Sequence, residues 1–176
     1  MPQPDAGTPH PGRILGIDPG IAHTGWAVLD PSSGGLVCVA TGTIVTRPGV
    51  TRQARLAALA RAVADVLRRT LPDCAGIEDV MVGRNRSTVT QTAAAIGVIE
   101  LMCAQYGVEC RSYPPGEVKR ALTGNGRAGK HEVCDAVNRL TGAAVRPNRE
   151  HESDALAVAL RHATYCHGGV GQCLIM

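Results

Sequence analysis

The sequence predicts an α/β fold, a five-stranded mixed sheet flanked by helices, and three observations carry that prediction. Near the N-terminus three short apolar runs follow one another with turn residues between them. Beyond them, long helical patterns alternate with short strand patterns. The length, 176 residues, is that of one domain with an ordinary core.

The opening MPQPDAGTPHPG is rich in Pro and Gly and has no apolar core of its own, so residues 1–12 are expected to be a loose tail. RILGID then reads as a short buried strand, TGWAVLD as a second and GLVCVATGTIV as a third, with Pro-Gly and PSSGG as the turns. Three adjacent strands with tight turns make an antiparallel meander. TRQARLAALARAVADVLRRT places Leu56, Leu59, Ala60, Val63, Val66 and Leu67 at helical spacing. Arg52, Arg55, Arg61, Arg68 and Arg69 lie elsewhere on that helix and read as a solvated face rather than a DNA site.

CAGIEDV reads as the fourth strand, followed by a polar loop GRNRS and a second long helix for which Ser87 suits the N-cap. In this helix, STVTQTAAAIGVIELMCAQYG, the only charge from Ala93 to Ala104 is Glu100, which predicts cover on nearly every side. Its small residues Ala93, Ala94, Ala95 and Gly97 suit either a central core helix or a close-packed dimer contact. VECRSY is the fifth strand, and PPGEVKRALTG opens a short helix with Pro at its start. The Gly-rich loop GNGRAGK leads into a helix over KHEVCDAVNRLTG, and after the polar break RPNRE the closing helix is EHESDALAVALRHA. This order predicts one domain over residues 13–165, with 166–176 as a C-terminal tail.

Composition narrows the function classes. Phe is absent and Trp26, Tyr106, Tyr113 and Tyr165 are the only aromatics, so a base-stacking platform is poorly supported. The formal charge of +3 fits a nucleic-acid binder and many other proteins equally. Cys38, Cys74, Cys103, Cys110, Cys134, Cys166 and Cys173 are odd in number, include no C-x-x-C pair and lie mostly in apolar patterns. They read as small core residues of a reduced, cytoplasmic protein. His162, Cys166, His167 and Cys173 match no common zinc spacing and read as a helix end and tail. No run approaches the eighteen or so apolar residues expected of a membrane span.

The acids then stand out by position. Asp18 ends the first strand, where a buried carboxylate is costly unless it is paired or bound to a cation. Glu78 lies inside the apolar run of the fourth strand. His151 and Asp154, three apart at the start of the last helix, share one face. Singly, each has a plain explanation as a turn, cap or first-turn residue. Converging at one edge of a sheet whose first and fourth strands are neighbours, they would bind hard divalent cations, and two such ions activate water against a phosphodiester.

ILGIDPGIAHTGWAVLD, GIEDVMVGRN, VKRALTGNGRAGK and HESDALAVAL resemble, in order and spacing, the bacterial RuvC Holliday junction resolvases, from Arg13 to His162. The resemblance implies an RNase H-like fold and a homodimer, expected here through the helix 87–106. It also implies a magnesium-dependent reaction that cuts two like-polarity strands of a four-way junction symmetrically, alongside the RuvA and RuvB branch-migration proteins. It assigns two metal ions to Asp18, Glu78 and Asp154, with His151 in a seat that is Asp in many members and His in others. Because His is the softer ligand, Mn2+ is expected to serve at least as well as Mg2+. Lys119 and Lys130 match residues that contact DNA phosphates near the cut, and the loop carrying Arg84 and Asn85 is expected at the DNA. Members often carry a base-pressing Phe where Met81 stands; Met is also known among apolar wedges.

Three other readings compete. GIDPGIAHTG also looks like the phosphate loop of actin-type and sugar-kinase phosphotransferases, but those need two such domains, and no second acid-glycine loop occurs here. A silent module that recognises branched DNA by shape is separated by metal-dependent nicking. An RNase H-like nuclease with another substrate, such as an RNA hybrid, is separated by a substrate panel.

Overall fold

The computed structural model describes residues 12–80, 86–146 and 149–166. Its strands are β1 (Ile14–Asp18), β2 (His23–Ser32), β3 (Gly35–Val45), β4 (Cys74–Glu78) and β5 (Glu109–Tyr113). Its helices are α1 (Arg52–Thr70), α2 (Arg86–Gln105), α3 (Pro115–Thr123), α4 (Lys130–Thr141) and α5 (Glu150–Cys166). The sheet order is β3-β2-β1-β4-β5. β1 pairs antiparallel with β2 and parallel with β4, so the mixed sheet has the expected meander and the two parallel additions.

Alternation along the strands sorts the two cores. Leu15, Ile17, Val28, Ala75 and Ile77 point to one face and pack with Leu59, Val63, Val66 and Leu67 of α1 and Ala95, Ile96, Ile99 and Cys103 of α2. Ile14, Ala27 and Leu29 point to the other, against Val118 and Leu122 of α3, Val133 and Val137 of α4, and the run Ala155–Leu160 of α5. Asp18 and Gly16 share the parity of Ile14, and Glu78, Gly76 and Cys74 share one parity on β4. Both strands therefore present their acids to the α5 side.

Thr51 caps α1, its Oγ1 accepting from the Ala54 amide at 3.2 Å. Leu71, in the left-handed region at φ 48°, ends that helix. Arg55 departs from the expected solvated face. Its Nε donates to Thr46 Oγ1 at 2.9 Å and its terminal nitrogen to the Ile21 carbonyl at 3.1 Å, tying α1 to the turn that follows Asp18. Ser87 is not the cap: α2 begins at Arg86, which puts Ser87 in the first turn, where its Oγ accepts from Gln91 Nε2 at 3.2 Å.

Cover on nearly every side of α2 does not hold either. Ala95, Ile96, Ile99 and Cys103 are buried, while Ala93, Gly97, Leu101 and Ala104 form an exposed stripe, with Leu101 55% exposed. By length and composition alone α2 is long and apolar enough to cross a membrane, although Thr88, Thr90, Gln91, Thr92 and Glu100 interrupt it, so it is not the unbroken apolar run that the sequence was expected to lack. Its buried stripe is instead packed on α1 and the sheet.

Candidate active site

The approach of α5 to the sheet builds the site. A Cβ at Gly16 would collide with the backbone of Ala155 and Ala159, and one at Gly25 with the carbonyl of His151. One at Gly76 would crowd Val158 and His162. Gly16 pairs in register with Gly76, so neighbouring strands offer α5 a bare strip of backbone. The first turn of α5 is thereby laid over the ends of β1 and β2. The signal for this lay in the sequence as isolated glycines inside strand patterns, which mark close backbone approach, but the partner helix lies far away in the sequence.

At the end of that strip the four expected side chains meet. His151 Nδ1 lies 2.7 Å from Asp18 Oδ2, and Asp18 is only 14% exposed. Glu78 shares the cleft with Asp18 and Asp154 and feels the charges of both. Burial, then the Asp18 and Asp154 charges, push its carboxyl up to about 8. Asp154 is pushed up to about 6, by burial first and then by Asp18. His151 is raised by its hydrogen bond to Asp18, with burial opposing. His23, which the sequence reading passed over, stacks on His151 with ring centroids 5.5 Å apart and an interplanar angle of 8°. A histidine at a strand start gives no sequence signal for such a contact.

The turn below the acids is held rigidly. Thr24 Oγ1 donates to the Gly20 carbonyl at 2.7 Å, and the Thr46 amide to the Ala22 carbonyl at 3.1 Å. A cleft of about 170 Å³ opens above Asp18, Glu78 and Asp154, and Lys119 and Lys130 line it too. Lys119 Nζ donates to the Ala128 carbonyl at 3.0 Å, which aligns α3 with the Gly-rich loop. Lys130 is ion-paired with Glu150. Thr88, Val89 and Thr92 of α2 form another wall. Met81, Arg84 and Asn85 lie outside the described residues.

Three carboxyls this close do not all ionise at neutral pH without compensating positive charge. Oxygen donors gathered in an open cleft, with one imidazole, suit a hard or borderline divalent cation. Burial first, and the neighbouring carboxylates second, raise the affinity of Glu78 and Asp154 for protons, and a bound cation would oppose both effects.

The family model for crossover junction endodeoxyribonuclease RuvC matches residues 14–162. The chain belongs to the RuvC family. The RuvC of Azorhizobium caulinodans is 40% identical over 151 residues, covering 86% of this chain and 89% of that one. That of Nitratidesulfovibrio vulgaris strain DP4 is 42% identical, covering 85% and 89%. Among solved structures, Thermus thermophilus RuvC in complex with a Holliday junction substrate superposes with a TM-score of 0.82 at 31% identity, over 90% of this chain and 96% of that one. The yeast mitochondrial resolvase Ydc2, 13% identical at a TM-score of 0.62, shares the fold. The five-stranded mixed sheet with flanking helices is thus the RNase H-like fold of the RuvC resolvases.

Proposed function

We propose that this RuvC-family chain, acting through one nuclease unit at residues 13–165, resolves Holliday junctions in DNA recombination and repair by paired, symmetric, metal-dependent phosphodiester hydrolysis. The observation that supports this reading is the convergence of Asp18, Glu78 and Asp154 in a cleft that two lysines share, with His151 bonded to Asp18. Asp18, Glu78, Asp154 and His151 hold two divalent ions, Mg2+ or Mn2+. When bound, such ions supply a nucleophilic water and stabilise the leaving oxygen.

The chain's own residues orient the reaction. The Asp18 carboxylate holds His151 by Nδ1, which leaves Nε2 as the nitrogen for a cation, and His23 fixes the ring plane by stacking. Lys119 and Lys130 draw the scissile phosphate into the cleft; Lys130 trades its partner Glu150 for the phosphate. Met81, Arg84 and Asn85 extend the DNA contact, Met81 as an apolar wedge. The exposed small-residue stripe of α2 suits a second copy of the chain, and the dimer works in the cytoplasm with RuvA and RuvB.

The test is cleavage of a labelled synthetic four-way junction beside a linear duplex and an RNA-DNA hybrid, in Mg2+ and in Mn2+. Paired nicks in the junction alone are expected, and equal cutting of the hybrid would reassign the substrate. Asp18→Asn, Glu78→Gln and Asp154→Asn should each abolish cutting yet leave junction binding largely intact, because affinity rests on basic contacts. Near-wild-type cleavage by any one of them removes that residue from the metal set. Lys119→Ala and Lys130→Ala should each weaken binding and lower the salt slope by about 0.9 per lost phosphate contact, measured by titration across salt concentrations. An unchanged slope places that lysine off the DNA path.

A further inference from the structure

β4 carries a second group of side chains on the face that bears Glu78, at its opposite end. Cys74 opens the strand, and the same stripe of α5 that begins with His151 and Asp154 closes with His162 and Cys166. The ligand atoms of Cys74, His162 and Cys166 all lie within 4.8 Å of one another. The two sulfurs are 4.0 Å apart. Thiolates bound tetrahedrally at about 2.3 Å from zinc sit about 3.8 Å apart, so the pair is spaced for one ion without backbone movement. Both cysteines are free thiols at this separation, a disulfide bond being about 2 Å.

A second observation points to a ligand. His162 is 4% exposed, and its Nε2 is buried with no hydrogen-bond partner, an arrangement that is costly if it stays unfilled. Its Nδ1 lies 2.8 Å from the buried Tyr113 hydroxyl. Metal-bound histidines commonly engage their other nitrogen in this way, which fixes ring orientation and tautomer. Burial and the nearby Arg111 and Arg161 hold His162 down to about 4, so the imidazole is neutral at physiological pH, as a ligand must be.

We propose that Cys74, His162 and Cys166 form a binding site for one soft divalent cation of the zinc class, distinct from the acidic cleft. Two thiolates and an imidazole select such an ion over Mg2+, whereas the carboxylate cleft selects the reverse. Each thiol releases its proton to solvent on binding, and no electron is transferred. The ion would cross-link the start of β4 to the end of α5, the two elements whose other ends carry Glu78 and His151 with Asp154, and so hold their register.

The test is titration of the full chain with Co2+ in excess Mg2+ and a non-chelating reductant. A near-ultraviolet thiolate-to-cobalt charge-transfer band should saturate at one equivalent and be bleached by Zn2+. The band should disappear in Cys74→Ser and in Cys166→Ser, each checked for folding by circular dichroism, and persist in Cys110→Ser and in Asp18→Asn/Asp154→Asn. In excess Mg2+, Zn2+ should raise the melting temperature of Asp18→Asn/Asp154→Asn and not of that variant carrying Cys74→Ser as well. Absence of the band in the wild type, or its survival in both serine variants, overturns the site. Junction cleavage does not enter this readout, so the outcome is separate from that of the resolvase reading.

Discussion

Glu78 keeps its proton to about pH 8 and Asp154 to about pH 6 because each is buried beside another carboxyl. Both folded values lie above the ordinary carboxylate range, and His151 is raised as well. These groups bind more protons in the folded state than in the unfolded chain between about pH 4.5 and 8, whereas buried His162, held down to about 4, binds fewer below about 6.5, so stability falls as pH rises from about 6.5 to 8. The metal-free protein should melt at a higher temperature near pH 6.5 than near pH 8.5, losing about 2 kcal/mol between them. Mg2+ or Mn2+ should restore the loss, since the cation replaces the protons. Glu78→Gln should flatten the profile. Thermal melts in chelator across pH, with and without metal, give the comparison; a profile that rises toward pH 8 contradicts the charge-frustrated cluster. The same protons compete with the metal during catalysis, so cleavage should fall as pH drops through roughly 7 to 6. His151→Asp should lessen that fall without abolishing it, because Glu78 and Asp154 still titrate. At this scale the sequence was most informative: Asp18 and Glu78 showed themselves by interrupting apolar runs, and His151 and Asp154 by their spacing. His23 stayed hidden, because stacking across 128 positions leaves no local trace.

Elements were legible in order and type, whereas their closeness was not. Turn chemistry and periodicity marked each of the five strands and five helices, since those signals are local. The strip made by Gly16, Gly25 and Gly76 acquires meaning only once α5 is laid across it. Likewise the sequence grouped His162 and Cys166 with their chain neighbours His167 and Cys173, while the fold groups them with Cys74 on another element. Gly25→Ala should make the strip measurable. Its Cβ would meet the His151 carbonyl, so α5 must lift or the strand must shift, at about 1–3 kcal/mol. Cleavage should fall by more than tenfold while junction binding, which rests on the lysines of α3 and α4, changes far less. Gly34→Ala meets nothing within 4 Å and serves as the control. Unchanged melting temperature and cleavage in Gly25→Ala would mean that α5 does not sit this close.

For the whole molecule, the decisive feature is the face of α2 that the fold leaves bare. The sequence predicted cover on nearly every side of this helix, but composition does not reveal what supplies it, and the fold covers one stripe only. The other stripe of α2 is already occupied by α1 and the sheet. Ala93, Gly97, Leu101 and Ala104 therefore stay exposed, and nothing lies within 4 Å of a Cβ at Gly97. Small residues let two helices approach closely, and a two-fold arrangement would place two clefts for the two like-polarity strands of one junction. A chain with one such cleft makes one cut per encounter. Leu101→Glu puts a charge in the middle of the bare stripe while touching neither the acids nor the lysines. Light scattering should then report the 18.3 kDa chain mass instead of twice that value. The melting transition should lose its dependence on protein concentration. On a junction held in a supercoiled plasmid, where a second cut in the same encounter gives a linear product, the variant should accumulate singly nicked circles. A Leu101→Glu protein that keeps the dimer mass and still linearises the plasmid places the subunit contact elsewhere than α2.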